Sequence, residues 1–305
     1  MNISQIITKI NWLVFGDSTA PTSVTTQMTG NDEEFLTDIH RQIQTEWDWW
    51  FMEKLDTLSI IAANQSYALP TRFKREVSLW FTHATTGKYE SPIQRLMRGQ
   101  AEVTFTDPTD DTTYPTHYEI WGDSATPFKL WPIPDTNVTL NRRYYAYLPN
   151  LKSGTVTMTI ATPCVVTLTD HNLASGDTIY FTTSGSLPTN ISASTKYWVT
   201  VVDDNTFKLS TSYANYVAAT FIATTGSQTG AHTMYAWPDT IMEDHPYVII
   251  YKAALVLVTN LDYQQKIGLF SRLYDEALQV MRERDWAYKI GGDSGGLNKI
   301  DYVGF

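Results

Sequence analysis

The acidic segment DPTDDTT, residues 107–113, is the part of the sequence whose residue types and spacing come nearest to a metal site. Asp107, Asp110 and Asp111 could together bind Ca²⁺, because this hard cation prefers several carboxylate oxygens. The spacing of an EF-hand loop and its closing glutamate are both missing. We therefore expect a solvated acidic loop at this position.

Other residues that could carry chemistry are scattered. The six histidines show no His-x-x-x-His or related spacing, so they predict no metal site. The segment TSGSL, residues 183–187, lacks the Gly-x-Ser-x-Gly pattern of a serine nucleophile and is typical of a β-turn. The segment GGDSGG, residues 291–296, follows a predicted helix, which favours a flexible linker over a phosphate-binding loop. The sequence predicts no enzyme, no metal and no cofactor.

The segment EWDWWFME, residues 46–53, contains three tryptophans and a phenylalanine. Such a segment could stack on sugars, anchor a chain at a membrane, stack on nucleic-acid bases or form the buried end of a helix. Apolar residues recur before it at intervals of three and four, which predicts one amphipathic helix from about residue 32 to residue 53. In that helix Trp47 and Trp50 face the core, whereas Trp49 points away and is assigned to a subunit interface.

Composition and charge limit the class of protein. The chain has 305 residues, a formal net charge of -10 and one cysteine, Cys164. The length favours about two domains. The negative charge argues against a surface that binds DNA phosphates, but it suits a wall along which DNA slides without adhering. The most apolar run, Val248 to Val258, is too short to span a bilayer, and no secretory signal is evident. We expect a soluble protein that has no membrane partner and is made in a cytoplasm.

Residues 152–235 differ in composition from the rest of the chain. They include seven charged residues and 19 threonines among 84 residues. Period-two segments such as TVTMTI, TIYFTT and YWVTVV recur with turn residues between them, and Asp203 and Asp204 fit a hairpin turn. The pattern predicts an inserted all-β domain of the barrel or sandwich kind.

Helical periodicity returns on both sides of this segment. ISQIITKINWLV predicts a short first helix, and two further helices are predicted by EDHPYVIIYKAALVLVTNLDY and QQKIGLFSRLYDEALQVMRERDWAYK. Strand-like pieces lie between the first helices and residue 151. The sequence therefore predicts an α+β fold with a discontinuous core of helices and strands, residues 1–151 and 236–290. The inserted β domain is residues 152–235, and a flexible arm is residues 291–305.

The order of these segments resembles the head-to-tail adaptor, or connector, proteins of tailed bacteriophages. The resemblance lies in RQIQTEWDWWFMEKLDTLSI, NQSYALPTRFKREVSLWF, YEIWGD, FKLWPIPD, LNRRYYAYLPNL and AWPDTIMEDHPYVIIYKAALVLV. It covers residues 1–151 and 236 to about 286. It implies that the LWPIP strand pairs with the RYYAYLP strand and that the last helices pack on the first. The segment HNLASGDTIYF to DDNTFKLS, residues 171–210, resembles a small β domain of phage neck, tail and fibre proteins.

The resemblance implies a ring, commonly of twelve copies, that docks beneath the portal protein and carries the DNA conduit toward a tail or nozzle protein. DNA would pass through without sequence-specific binding. Fibres or a collar could attach through residues 152–235. The segment NKIDYVGF would reach into the portal, with Ile300, Tyr302, Val303 and Phe305 as proposed portal-binding residues. Such a protein belongs to the virion neck, at the head-tail interface, and is assembled in the host cytoplasm.

Two other functions remain open from the sequence. The β domain could make the chain a fibre-attachment or receptor- and carbohydrate-binding virion protein. The helices over residues 236–286 argue against this alternative, because fibre proteins are usually dominated by β repeats or coiled coils. A glycan hydrolase would need two carboxylates in one cleft, which spacing along the sequence neither predicts nor excludes.

Overall fold

The computed structural model describes residues 1–16, 32–83, 86–97, 99–105, 114–122 and 125–289. Helices, two small sheets and a closed barrel make up these residues, which confirms the predicted α+β class. The chain divides into two compact units, Met1–Trp47 with Pro149–Phe305, and Asp48–Leu148. The strands of residues 48–148 enclose a hydrophobic core of their own. The predicted discontinuous core, residues 1–151 and 236–290, stays a prediction. The boundaries of an independent β domain at residues 152–235 stay a prediction.

Helix α6 (Pro246–Asn260) is the centre of the helical part of the first unit. It is apolar on nearly all sides, and it packs against α1 (Ile3–Phe15), α2 (Asp32–Glu46) and α7 (Gln264–Lys289). Asn2 and Gln5 form a capping box that starts α1, and Pro246 occupies the first turn of α6. The helices of the described residues are α1 (Ile3–Phe15), α2 (Asp32–Glu46), α3 (Ala101–Thr104), α4 (Tyr213–Val217), α5 (Thr240–Asp244), α6 (Pro246–Asn260) and α7 (Gln264–Lys289).

The tryptophan segment is not the end of a helix, so its predicted orientation is wrong. Helix α2 ends at Glu46, Trp49 has an extended backbone, and Trp50–Met52 form a short 3₁₀ turn. Because the helical phase does not continue past Glu46, Trp47 is 47% exposed whereas Trp49 is completely buried. Trp50 is partly buried. The assignment of Trp49 to a subunit interface therefore loses its basis.

Six antiparallel strands of the first unit, numbered β8 to β13 along the chain from Ser153 to Ala236, close into a barrel in the order β10-β11-β12-β9-β8-β13. Alternate side chains point inward, and Phe181, Val199 and Phe207 are completely buried in the centre. The hairpin turn predicted at Asp203 is confirmed, since its carboxylate accepts hydrogen bonds from Asn205 N and Thr206 Oγ1. The strands are β8 (Ser153–Met158), β9 (Val165–Thr167), β10 (Thr178–Thr183), β11 (Tyr197–Asp203), β12 (Thr206–Ser210) and β13 (His232–Ala236).

The chain enters and leaves the barrel on neighbouring strands. Ser153 of β8 is paired with Tyr235 of β13, and Ala236 N donates a hydrogen bond to Lys152 O at 2.8 Å. Residues 152 and 236 are therefore adjacent in space. This geometry allows a long insertion without separating the residues on either side of it.

The second unit consists of two sheets, ordered β1-β7-β3 and β2-β6-β5-β4. The family resemblance implied that the strand containing Leu130 and Trp131 pairs with the strand containing Tyr144 and Tyr145, and this is wrong. Strand β6 pairs with β2 and β5, whereas β7 pairs with β1 and β3. The strands are β1 (Glu53–Ile60), β2 (Ser66–Tyr67), β3 (Phe73–Phe81), β4 (Gln94–Arg95), β5 (His117–Ile120), β6 (Phe128–Trp131) and β7 (Val138–Ala146).

Candidate functional site

The C-terminal end of α7 is joined to the residue that follows α2. Trp47 Nε1 donates a hydrogen bond to Asp285 Oδ2 at 2.9 Å, and Lys289 Nζ lies 2.8 Å from the same oxygen. Asp285 is only 2% exposed, so these donors replace the water that a buried carboxylate loses. The last turns of α7 are therefore anchored to the end of α2.

The sequence of α7 explains why Asp285 is buried. Its inward residues, among them Phe270, Tyr274, Leu278 and Met281, follow one face of the helix, and Asp285 takes the next position on that face. Lys289 lies one turn further on, where an i,i+4 ion pair forms readily and a cation is favoured at the helix C-terminus. A charged residue at an inward-facing position of an amphipathic helix is the sequence signal for such a buried ion pair.

Glu46, the last residue of α2, is the centre of a second set of contacts. Tyr274 Oη donates to its two carboxylate oxygens at 2.8 and 2.9 Å, and Lys252 Nζ donates at 3.0 Å. The Lys252 ammonium also lies 4.6 Å from the centroid of the Tyr274 ring. Burial and the neighbouring Glu46 carboxylate raise the pKa of Tyr274 well above its usual range, so the phenol stays a donor. Helices α2, α6 and α7 meet at this point.

A third contact joins α2 to the start of α5. His40 Nε2 lies 2.7 Å from Asp239 Oδ2, and both side chains are largely enclosed. The other oxygen of Asp239 caps α5 by accepting hydrogen bonds from Ile241 N and Met242 N. Burial by itself would raise the pKa of Asp239, but His40 and the two backbone donors outweigh it and lower that pKa below its ordinary value. The segment that returns from the barrel is thereby held to α2.

Large side chains are exposed beside the anchored end of α7. Trp286 is 66% exposed and Tyr288 is 64% exposed, on different sides of the last turn. The Arg282 guanidinium lies over the Trp47 ring, 5.6 Å from its centroid. Since Arg282 and Trp286 are one helical turn apart, they lie on the same side of α7. Two tryptophans and an arginine therefore share one exposed surface.

The residues predicted to bind the portal, Ile300, Tyr302, Val303 and Phe305, lie outside the described residues. So do Asp107, Asp110 and Asp111. Within the ranges that the structure describes, no group of three or more His, Cys, Asp or Glu side chains is arranged to hold a metal ion. Sequence reasoning did not find Asp285 or Trp286, and it placed Trp47 in the core. The end of α7 is anchored by the hydrogen bond between Trp47 and Asp285, which the sequence did not predict.

The chain matches the model of the SU10 adaptor protein family over residues 1–175, which is more than half of its length. It belongs to this family, and it is therefore a structural adaptor protein of a bacteriophage. This result confirms the resemblance to the adaptor proteins, and the resemblance of residues 171–210 to a small β domain of phage proteins stays a prediction. Membership implies a component of the virion neck that assembles with other head-tail proteins. No curated protein matches the chain.

The family match includes all of the second unit and ends within the barrel segment, between β9 and β10. Four of the six barrel strands, β10 to β13, lie outside the matched residues. Among the described helices, none combines the length and the apolar character needed to cross a membrane.

Proposed function

We propose that twelve copies of this chain form a ring between the portal and the tail of the virion, as part of the conduit through which DNA leaves the head. The observation that carries this proposal is the adaptor family match over residues 1–175. The net charge of -10 supports a conduit role, because like charge discourages the duplex from adhering to the wall. The chain acts as a structural component and not as an enzyme.

The ring docks to the portal through the arm, residues 291–305. Ile300, Tyr302, Val303 and Phe305 supply the apolar contacts, and the preceding glycines let them reach a partner. Extended, the 13 residues from 293 to 305 span roughly 40 Å. The anchoring of α7 as far as Lys289 supports this role, because the arm then starts from a defined point. Because every copy in a ring carries an arm, many modest contacts act together and make the binding of the ring nearly irreversible.

The test separates ring formation from portal binding. We would delete residues 292–305 and measure ring formation by electron microscopy and affinity for immobilised portal rings by surface binding. The expected result is a protein that folds and forms rings but no longer binds the portal. A second variant, with Ile300, Tyr302 and Phe305 changed to serine, keeps the length of the arm and should behave in the same way. Unchanged affinity in both variants would rule out docking through the arm.

A second function concerns the barrel, which we propose as an attachment site for a collar or fibre. It is supported by the end of the family match inside the barrel segment and by the large exposed side chains Tyr213 and Val217 on α4. Because Lys152 and Ala236 are hydrogen-bonded neighbours, a short Gly-Ser linker can replace residues 153–235. Virions with this replacement should keep head-tail joining and lose the attached collar or fibre. Normal appendages on such virions would reject the barrel as their attachment site.

A further inference from the structure

One face of the α7 end combines aromatic and cationic side chains. We call Trp47, Arg282, Trp286 and Lys289 the α7 tip. Arg282, Trp286 and Lys289 follow one another at intervals of four and three residues, so they share a side of the helix. Trp47 lies beneath the Arg282 guanidinium and is hydrogen-bonded to Asp285. The four side chains therefore form one continuous surface.

The α7 tip is held in one arrangement before any partner binds. Trp47 is fixed through its N–H at 2.9 Å from the Asp285 carboxylate, and its ring supports the guanidinium of Arg282. An arginine stacked in this way keeps its N–H groups directed along the plane of the guanidinium, where a carboxylate can accept two of them. Little side-chain entropy is then lost on binding.

The composition of the tip matches that of strong protein contact sites. Tryptophan and arginine are the residues most enriched where single side chains dominate a binding energy. Trp286 is 66% exposed and Trp47 is 47% exposed, so both retain apolar area to bury. Within the tip Lys289 offsets the buried charge of Asp285, which leaves the positive charge of Arg282. The complementary surface is an apolar groove that carries an Asp or Glu carboxylate.

We propose that the α7 tip is a second, rigid portal contact, in which Trp286 enters an apolar groove of the portal protein and Arg282 pairs with a carboxylate beside it. The inference rests on the proposed function, since the portal is the partner that the arm would hold. Lys289 is the last described residue, and the arm begins two residues later. An arm that starts beside the tip can hold the portal against this surface. The arm captures the portal, and the α7 tip fixes the orientation in which the portal binds.

The test compares full-length variants for binding to immobilised portal rings. Trp286→Ala should weaken binding about tenfold or more. Arg282→Gln should also weaken it about tenfold and reduce its dependence on salt, because it removes a charge pair. Tyr288→Ala is the matched control, since Tyr288 is 64% exposed on the same turn but on the other side of the helix. It should bind like the parent protein, and all three variants should unfold at the same denaturant concentration as the parent.

Each other result counts against the inference. If deletion of residues 292–305 abolishes binding while Trp286→Ala binds normally, the proposed function stands and the α7 tip is not a portal contact. If Tyr288→Ala weakens binding as much as Trp286→Ala, the assigned face is wrong. If Trp286→Ala prevents ring formation while single copies bind the portal normally, the tip is a contact between copies of the chain. If the parent protein does not bind the portal at all, both the proposed function and the inference fail.

Discussion

Trp47 and Asp285 are 238 residues apart in the sequence, yet the indole N–H of one donates to the carboxylate of the other at 2.9 Å. This bond joins the end of α2 to the end of α7 within the first unit. It makes the last turns of a 26-residue helix part of a packed structure. The ion pair between Arg284 and Asp244, at 3.3 Å, is a second tertiary contact of this end of α7, where local helix formation by itself is weak.

Trp47→Phe tests this bond by removing the N–H while keeping a ring beneath Arg282. A buried carboxylate that loses a donor should lower the free energy of unfolding by about 1–3 kcal/mol. The control is Trp286→Phe, which changes an exposed ring nearby and should have an effect within about 0.5 kcal/mol. Urea unfolding of both variants gives the comparison. Equal effects would show that the Trp47 hydrogen bond does not stabilise the fold.

Asp239 predicts a specific dependence of stability on pH. Its pKa is lowered in the folded state, so it contributes stability above the unfolded value of about 4, and this contribution is lost as the pH falls through the lower folded value. Asp239→Asn keeps a good helix cap but removes the charge. The stability difference between the parent and this variant should be constant near neutral pH and should shrink below about pH 4.

Urea unfolding between pH 7 and pH 3 measures that difference. Asp135→Asn, at an exposed position between β6 and β7, is the control and should change stability little at any pH in this range. A difference between the parent and Asp239→Asn that does not vary with pH would reject the proposed role of the His40–Asp239 contact.

Trp49 should be the most sensitive tryptophan of the EWDWWFME segment. Its side chain is completely buried, so Trp49→Ala should lower the free energy of unfolding by about 3–5 kcal/mol. Trp12→Ala, on the 55% exposed Trp12 of α1, is the matched control and should cost much less. Thermal unfolding followed by circular dichroism is sufficient to rank them. A larger loss for Trp12→Ala would contradict the burial of Trp49.

Two glycines should respond in opposite directions to alanine. A Cβ at Gly185 would lie 2.2 Å from the Thr229 carbonyl oxygen, so Gly185→Ala should destabilise the barrel by about 1–3 kcal/mol. A Cβ at Gly268 of α7 would meet nothing within 4 Å, so Gly268→Ala should stabilise the helix by about 0.5–1 kcal/mol. Calorimetry of the two variants measures whether each substitution raises or lowers the stability. Stabilisation by Gly185→Ala would show that the TSGSL turn adjusts without cost.

The barrel should fold when it is separated from the rest of the chain. It has its own hydrophobic core, and its first and last strands pair with each other. Residues 152–236 expressed alone should give a β-type circular dichroism spectrum and one cooperative unfolding transition. Phe207→Ala in this fragment should remove most of its stability, since Phe207 is completely buried. A disordered spectrum for the parent fragment would mean that the barrel depends on the helices.

Local patterns in the sequence were sufficient to predict most helices and strands and to recognise the adaptor family. The change to period-two segments after residue 152 predicted strands that are present, and the turn at Asp203 followed from the Asp-Asp-Asn sequence. The helical periods of α1, α6 and α7 were equally clear. These signals are local because burial of one face imposes a period on any regular element. The adaptor resemblance needed only the order of such elements along the chain.

Tertiary structure decided where α2 ends and which strands pair. The helical phase predicted from Ile39 and Ile43 could not be extended through Trp47, because the backbone leaves the helix after Glu46 and β1 begins at Glu53. Strand pairing depends on contacts between distant segments, and many pairings satisfy the same alternation of side chains. Asp285 shows the same limit. Its phase along α7 makes it inward, but only the folded chain brings Trp47 to it as a donor.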